Sequence, residues 1–161
     1  MASRSRRPRP GDYPPGVVRL LLAHDGGLAP EVRVSSMSEV YALVAPLIGS
    51  CAQERFMVLL LNSRHRLLSI LSVAEGGASS VQVDLKMIFA GALLAGASCL
   101  ILCHNHPSGD PSPSPEDQTL TQRIMAGASL LGFRVLDHVI IGKNASLHSM
   151  NGANPSLFGE K

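Results

Sequence analysis

The chain has 161 residues, 45% of them hydrophobic, and a net charge of +2. That length is one domain's worth and enough to bury a core, and that hydrophobic share excludes disorder of the whole chain. A net charge this small excludes an argument for nucleic-acid binding from charge alone.

The basic excess sits at one end, where MASRSRRPRP holds four arginines and no acid. It reads as part of a disordered, Pro-rich arm over residues 1–16. The arm is expected to be solvated, with contact to an anionic partner such as nucleic acid as the alternative. No apolar signal-peptide core follows, because Arg19 interrupts VVRLLLA. One domain is expected over 17–152 and a tail over 153–161. SSMSEVYALVAPLIG (35–49) places Ser36 three residues before Glu39. That is a capping-box spacing ahead of a helical apolar period, and Pro46 is expected to kink or end the helix. ERFMVLLLN (54–62) reads as a central strand, Asn62-Ser63-Arg64 as a turn, and HRLLSILSVA (65–74) as the partner strand. EGGASS (75–80) is a loop and VQV (81–83) a short strand, after which Asp84 caps an apolar helix to about Ala97.

SCLILC (98–103) is expected to be a second buried strand and 104–113 a loop. Ser114-Pro115-Glu116-Asp117 opens a helix to Leu131, with Pro at its first position and Gly132 as its stop. FRVLDHVIIG (133–142) is a strand, ASLHSM (145–150) another, and the last ten residues read as loop or tail. Alternating strands and helices predict an α/β fold, a mixed sheet with helices on its faces. The uncharged run 87–103 is barely long enough to span a bilayer, but its change from Ala/Leu-rich to Leu/Ile/Cys-rich at Gly96-Ala97-Ser98 predicts a buried helix followed by a buried strand, not a membrane span. Cys51, Cys99 and Cys103 are too few for a disulfide framework and read as reduced core thiols of a cytoplasmic protein.

The chemistry concentrates at HNHPSGDPSPSPEDQ (104–118). Strand residues two apart share a face, so His104 and His106 can lean together and hold one ion at about 2.0 to 2.1 Å from each ring nitrogen. A lone His-x-His is short, and two surface histidines at a loop entry satisfy it equally. Asp117 adds a third candidate ligand, since Gly109 permits a sharp return of the loop. Two imidazoles and one carboxylate leave a fourth tetrahedral position open, the arrangement of a catalytic zinc site. Asp117 also has a purely structural reading: with Ser114 it forms a capping box. A base is needed as well. Glu54, at the head of a central strand, is the candidate, against a role as a polar flank paired with Arg55; Asp110 and Glu116 are the other acids nearby. His138 reads as a mid-strand structural histidine with support of a metal ligand as its alternative. His24, His65 and His148 have no partner spacing. The Pro-Cys-x-x-Cys of zinc deaminases is absent from the sequence.

His104-Asn-His106-Pro107, then Ser108 to Pro113, then Ser114-Pro-Glu-Asp117 is similar, with no gap, to the JAMM metalloprotease motif of JAB/MPN domains. With LLGFRVLDHVIIG and the strand ERFMVLLLN, the chain resembles the bacterial RadC family over about residues 35 to 152. The resemblance implies a three-layer JAB/MPN domain of cytidine-deaminase-like architecture. It further implies a zinc hydrolase in which metal-activated water attacks an amide or isopeptide carbonyl of a protein substrate. Carried over by position, His104, His106 and Asp117 hold Zn²⁺, Glu54 moves the proton from water to the departing nitrogen, and the Ser114 hydroxyl steadies the oxyanion. Two departures stand out. The basic arm stands where such chains commonly carry a helix-hairpin-helix region, and the segment that usually reads His-Pro-Arg-Glu is Val83-Asp84-Leu85-Lys86. The competing reading, drawn from the family's association with DNA repair, is a non-catalytic or merely metal-binding interaction module in DNA repair or mobile-element biology.

Overall fold

The computed structural model describes residues 32–75 and 83–159. The arm at 1–16, His24 and most of the segment expected as loop and short strand (75–83) lie outside the described residues. The elements in order are α1 (Met37–Ile48), β1 (Arg55–Leu61), β2 (Leu67–Glu75), α2 (Leu85–Ala95), β3 (Cys99–Asn105), α3 (Pro115–Leu130), β4 (Arg134–Ile141), β5 (Leu147–Ser149), α4 (Met150–Ala153) and a 3₁₀ turn (Pro155–Phe158).

The five strands form one mixed sheet in the order β2-β1-β3-β4-β5. β1 pairs antiparallel with both β2 and β3, and β4 antiparallel with β5. Only β3 and β4 are parallel, joined through α3. A parallel pair needs such a crossover, which carries the chain from the C-terminal end of β3 to the start of α3. In open α/β sheets that end is where ligand sites gather.

Alternation along the strands sorts side chains between two cores. Leu59 and Leu61 of β1, Cys99, Ile101 and Cys103 of β3, and Val139 and Ile141 of β4 pack with Val40, Val44 and Ile48 of α1. Phe56, Val58 and Leu60 of β1, with Leu100 and Leu102 of β3, pack with Ile88 and Ala92 of α2 and Ile124 and Ala128 of α3. The result is the expected three-layer α/β fold, with α1 on one face of the sheet and α2 and α3 on the other. All seven residues of β3 are buried. The even-numbered side chains of β3 face α3, so His104 emerges on that side.

Local signals act as their chemistry dictates. Ser36 and Glu39 form a complete capping box at α1. Asp84 caps α2 through the Lys86 amide, and Gly96 ends it in the left-handed region that glycine tolerates (φ 64°). Four expectations are corrected. Pro46 does not end α1, which runs two residues past it. β2 begins at Leu67, two residues later than expected, because Asn62 holds the turn by accepting from the Arg64 and Arg66 amides. β3 runs on to Asn105, because pairing with β4 continues to Ile141, so His104 is a strand residue rather than a loop residue. α4 begins at Met150, inside the expected last strand, and the segment expected as tail holds its last residue and the 3₁₀ turn. Asp137 anchors α4 by accepting from Ser149 Oγ and the Asn151 amide. Cys51, Cys99 and Cys103 are free thiols. Among the described residues no helix is long and apolar enough to cross a membrane.

Leu102 is fully buried at the centre of β3, against α2 and α3. Leu102→Ala is expected to lower unfolding free energy by about 2 to 5 kcal/mol through lost burial and a residual cavity. In urea titration this reads as a lower midpoint with an unchanged slope.

Candidate metal centre

The end of β3, the loop after it and the first turn of α3 bring Glu54, His104, His106 and Asp117 together, with one ligand atom from each within 4.8 Å of the others. His104 reaches this point because of its place in β3. Its ring stacks on Phe56, with centroids 6.0 Å apart and planes 13° apart. His106 lies one residue beyond the strand. Its amide donates to the Ile141 carbonyl at 2.9 Å, which extends the β3–β4 pairing and keeps the ring on the His104 side. The loop then turns back through Gly109, whose φ of 99° lies in the left-handed region. It docks on the β4–β5 turn, where the Lys143 amide donates to the Gly109 carbonyl at 3.1 Å. A Cβ on Gly142 would lie 2.3 Å from that carbonyl oxygen, so only glycine admits the loop this close.

The hydrogen bonds determine where the ring protons are. The His106 Nδ1 lies 2.8 Å from the Asp110 carbonyl, which can only accept, so Nδ1 carries the proton. The Thr121 hydroxyl donates its single proton to the Asp117 carbonyl at 2.6 Å, so it accepts from His138 Nδ1, also at 2.6 Å. Burial, aided by positive charge at His104, holds the His138 pKa well below the usual histidine value and keeps that ring neutral. Neutral and protonated on Nδ1, His138 accepts through Nε2 from His104 Nδ1 at 2.8 Å. With Nδ1 of each ring committed to its own partner, His104 and His106 turn their Nε2 atoms toward each other, 2.9 Å apart.

Asp117 completes the group. Its Oδ1 is 3.1 Å from His104 Nε2 and its Oδ2 is 3.3 Å from His106 Nε2. The capping box is present at the same time: Oδ2 accepts from the Ser114 amide at 2.8 Å and from the Ser114 hydroxyl at 2.7 Å, and the Asp117 amide donates back to Ser114 Oγ. The two readings of Asp117 are thus compatible, with Oδ2 serving the cap and Oδ1 pointing to His104. Burial pushes the Asp117 carboxyl up, and hydrogen bonding and charge from His104, with the Ser114 contacts, outweigh it and hold it well below the carboxylate range. That pull needs positive charge on the histidine side, from a proton or from a metal ion.

Three potential ligand atoms, two imidazole nitrogens and a carboxylate oxygen, face one point. Ligands at about 2.0 to 2.1 Å from a tetrahedral centre are separated by about 3.3 Å. The observed 2.9, 3.1 and 3.3 Å are close to that spacing. The donor set therefore fits a metal ion, and the four side chains can hold one.

Glu54 precedes β1 and, with His106, Ser114 and Asp117, lines an open cleft of about 1120 Å³ whose walls include Phe56, Val83, Leu120 and Arg123. Glu116 also lines the cleft. Asp110 is exposed and accepts from the Ser112 amide, so its carboxylate serves the loop. His65, which has a positive φ, sits in the β1–β2 turn, and His148 lies in β5. Thr121 was missed by sequence reasoning. The available signal was its place one turn after Asp117, on the same face of α3.

A family model described as the RadC-like JAB domain matches residues 34–155. Among curated proteins the chain is similar to a UPF0758 protein of Syntrophotalea carbinolica, 42% identical over 115 residues, covering 71% of this chain and 51% of that protein. A UPF0758 protein of Methanosarcina acetivorans is 39% identical over 113 residues, covering 70% of this chain and 49% of that one. A third, from Flavobacterium johnsoniae, is 37% identical over 109 residues, covering 68% and 48%. The chain spans about half the length of the curated relatives it matches. By the extent of the family match, the chain belongs to the RadC-like JAB domain family.

Proposed function

We propose that the chain is a zinc-dependent metallopeptidase of the isopeptidase type, cleaving an amide bond in a peptide or an isopeptide-linked protein. The observation that carries the reading is the pair of histidine Nε2 atoms converging with Asp117 beside the Glu54 carboxylate. His104, His106 and Asp117 would hold the ion. Zinc, when bound, lowers the pKa of a coordinated water to about 7 and polarises a carbonyl.

The protein's own groups supply the rest. Glu54 is placed to accept a proton and to deliver it to the departing nitrogen, which needs a carboxylate near but not buried among the ligands. The Ser114 hydroxyl now donates to Asp117 Oδ2. Rotating it toward the cleft would let it donate to a developing oxyanion, while the Ser114 amide keeps Asp117 in the cap. The open cleft with apolar walls suits an extended peptide segment. His138 and Thr121 keep the His104 tautomer with its lone pair toward the metal. The free thiols fit a reducing compartment, so we place the protein in the cytoplasm. A second reading, a non-catalytic module in DNA repair or mobile-element biology, has the four arginines of the first decamer in its favour.

Metal analysis of protein purified without chelator is expected to find about one zinc per chain, and His104→Ala to abolish it. Glu54→Gln should keep zinc and fold but lose hydrolysis by about 10²- to 10⁴-fold. A wild type that binds no metal overturns the enzyme reading. His138→Ala is expected to weaken zinc binding by about 10- to 100-fold in chelator competition, with Thr121→Val shifting it in the same direction. If DNA binding is found, and its salt dependence vanishes on removal of residues 1–10, the second reading gains.

A further inference from the structure

The residue between the two histidines bonds the backbone on either side of Glu54. Asn105 is 2% exposed and closes β3. β1 and β3 run antiparallel with Phe56 opposite His104, so Arg55 falls opposite Asn105. There the side chain takes over from the backbone ladder. The Arg55 amide donates to Asn105 Oδ1 at 2.8 Å. Asn105 Nδ2 donates to the Gln53 carbonyl at 3.1 Å and to the Cys51 carbonyl at 3.3 Å. Both amide hydrogens and the amide oxygen are used.

All three partners are backbone groups of the segment 51–55, and two of them flank Glu54. The Gln53 carbonyl belongs to the peptide before Glu54 and the Arg55 amide to the peptide after it. Holding both planes sets the two backbone dihedrals of Glu54. Aspartate at 105 has no hydrogens to give the two carbonyls, and serine has only one. Because Asn105 shares a strand with His104 and lies next to His106, the same backbone that carries two candidate ligands also carries the support of the candidate base.

We propose that Asn105 is a positioning residue for Glu54, fixing where its carboxylate stands relative to His104, His106 and Asp117. The proposal rests on the metallohydrolase reading of Glu54. A group that fixes catalytic geometry through backbone contacts acts without touching substrate, and small displacements at such a site have large effects.

The test needs no substrate. Full-length protein is loaded with cobalt(II), and the pH midpoint of its visible spectrum is measured for wild type, Glu54→Gln, Asn105→Ala and the double variant. Asn105→Ala is expected to load cobalt at the wild-type stoichiometry and to move the midpoint in the same direction as Glu54→Gln. In the double variant Asn105→Ala should add no further shift, because its effect passes through Glu54. If Asn105→Ala fails to load, Asn105→Ser, which retains one donor, replaces it. A wild-type midpoint in the Asn105 variant overturns the proposal, as does a shift that adds to that of Glu54→Gln, or cobalt loss in both Asn105 variants. Wild type that takes up no cobalt overturns the metal reading and this proposal together, so the two failures are distinguishable.

Discussion

Two imidazole nitrogens facing each other 2.9 Å apart beside a carboxylate make a place for positive charge. The rest of the site can be read as the machinery that imposes it. His106 turns Nε2 to the site because its other nitrogen must donate to the Asp110 carbonyl. His104 does so through a longer chain: a carbonyl accepts the Thr121 proton, Thr121 accepts from His138, and His138 accepts from His104 Nδ1. The chain is buried, so water does not compete for its members. It begins at the backbone of Asp117 and ends at the ring that faces the Asp117 carboxylate. One helix turn and two strands therefore share a single proton arrangement.

The first turn of α3 shows how one carboxylate serves two purposes. Helix starts leave amides without partners, and a side chain at the third position can satisfy the cap residue's amide. Asp117 does this with one oxygen. Aspartate is a short choice for that position, and its shortness keeps the carboxylate close to the helix axis and under the histidines. The cap thereby orients the carboxylate before any ion arrives, and the preorganisation costs little because the helix needs the cap anyway. Ser114 is tied into the same exchange, so any role in stabilising developing charge requires it to leave a bond it now makes.

The elements with strong local signals were legible in the chain. Ser36 with Glu39, and Ser114 with Asp117, marked two helix starts, because capping is decided within four residues. The apolar runs of β1 and β3 marked strands buried on both faces, because such strands need no polar alternation. The group His104, His106 and Asp117 was legible through spacing and through its resemblance to a known motif, and Glu54 through its place at the head of a strand. Elements that depend on distant partners were not. The extension of β3 to Asn105 follows from pairing with Ile141, α4 and the 3₁₀ turn follow from the anchor at Asp137, and neither leaves a local trace.

The amino-acid sequence by itself determined which residue types could meet and on which face of β3 they would stand, since alternation along a strand and periodicity along a helix are properties of the chain alone. Only the tertiary structure decided which ring nitrogens carry protons, because those positions are set by hydrogen-bond partners that lie 4, 17 and 34 residues away. It alone also revealed the contacts of Asn105 with segment 51–55. A proton's location is a property of the partner, and the partner is known only once the strands are side by side.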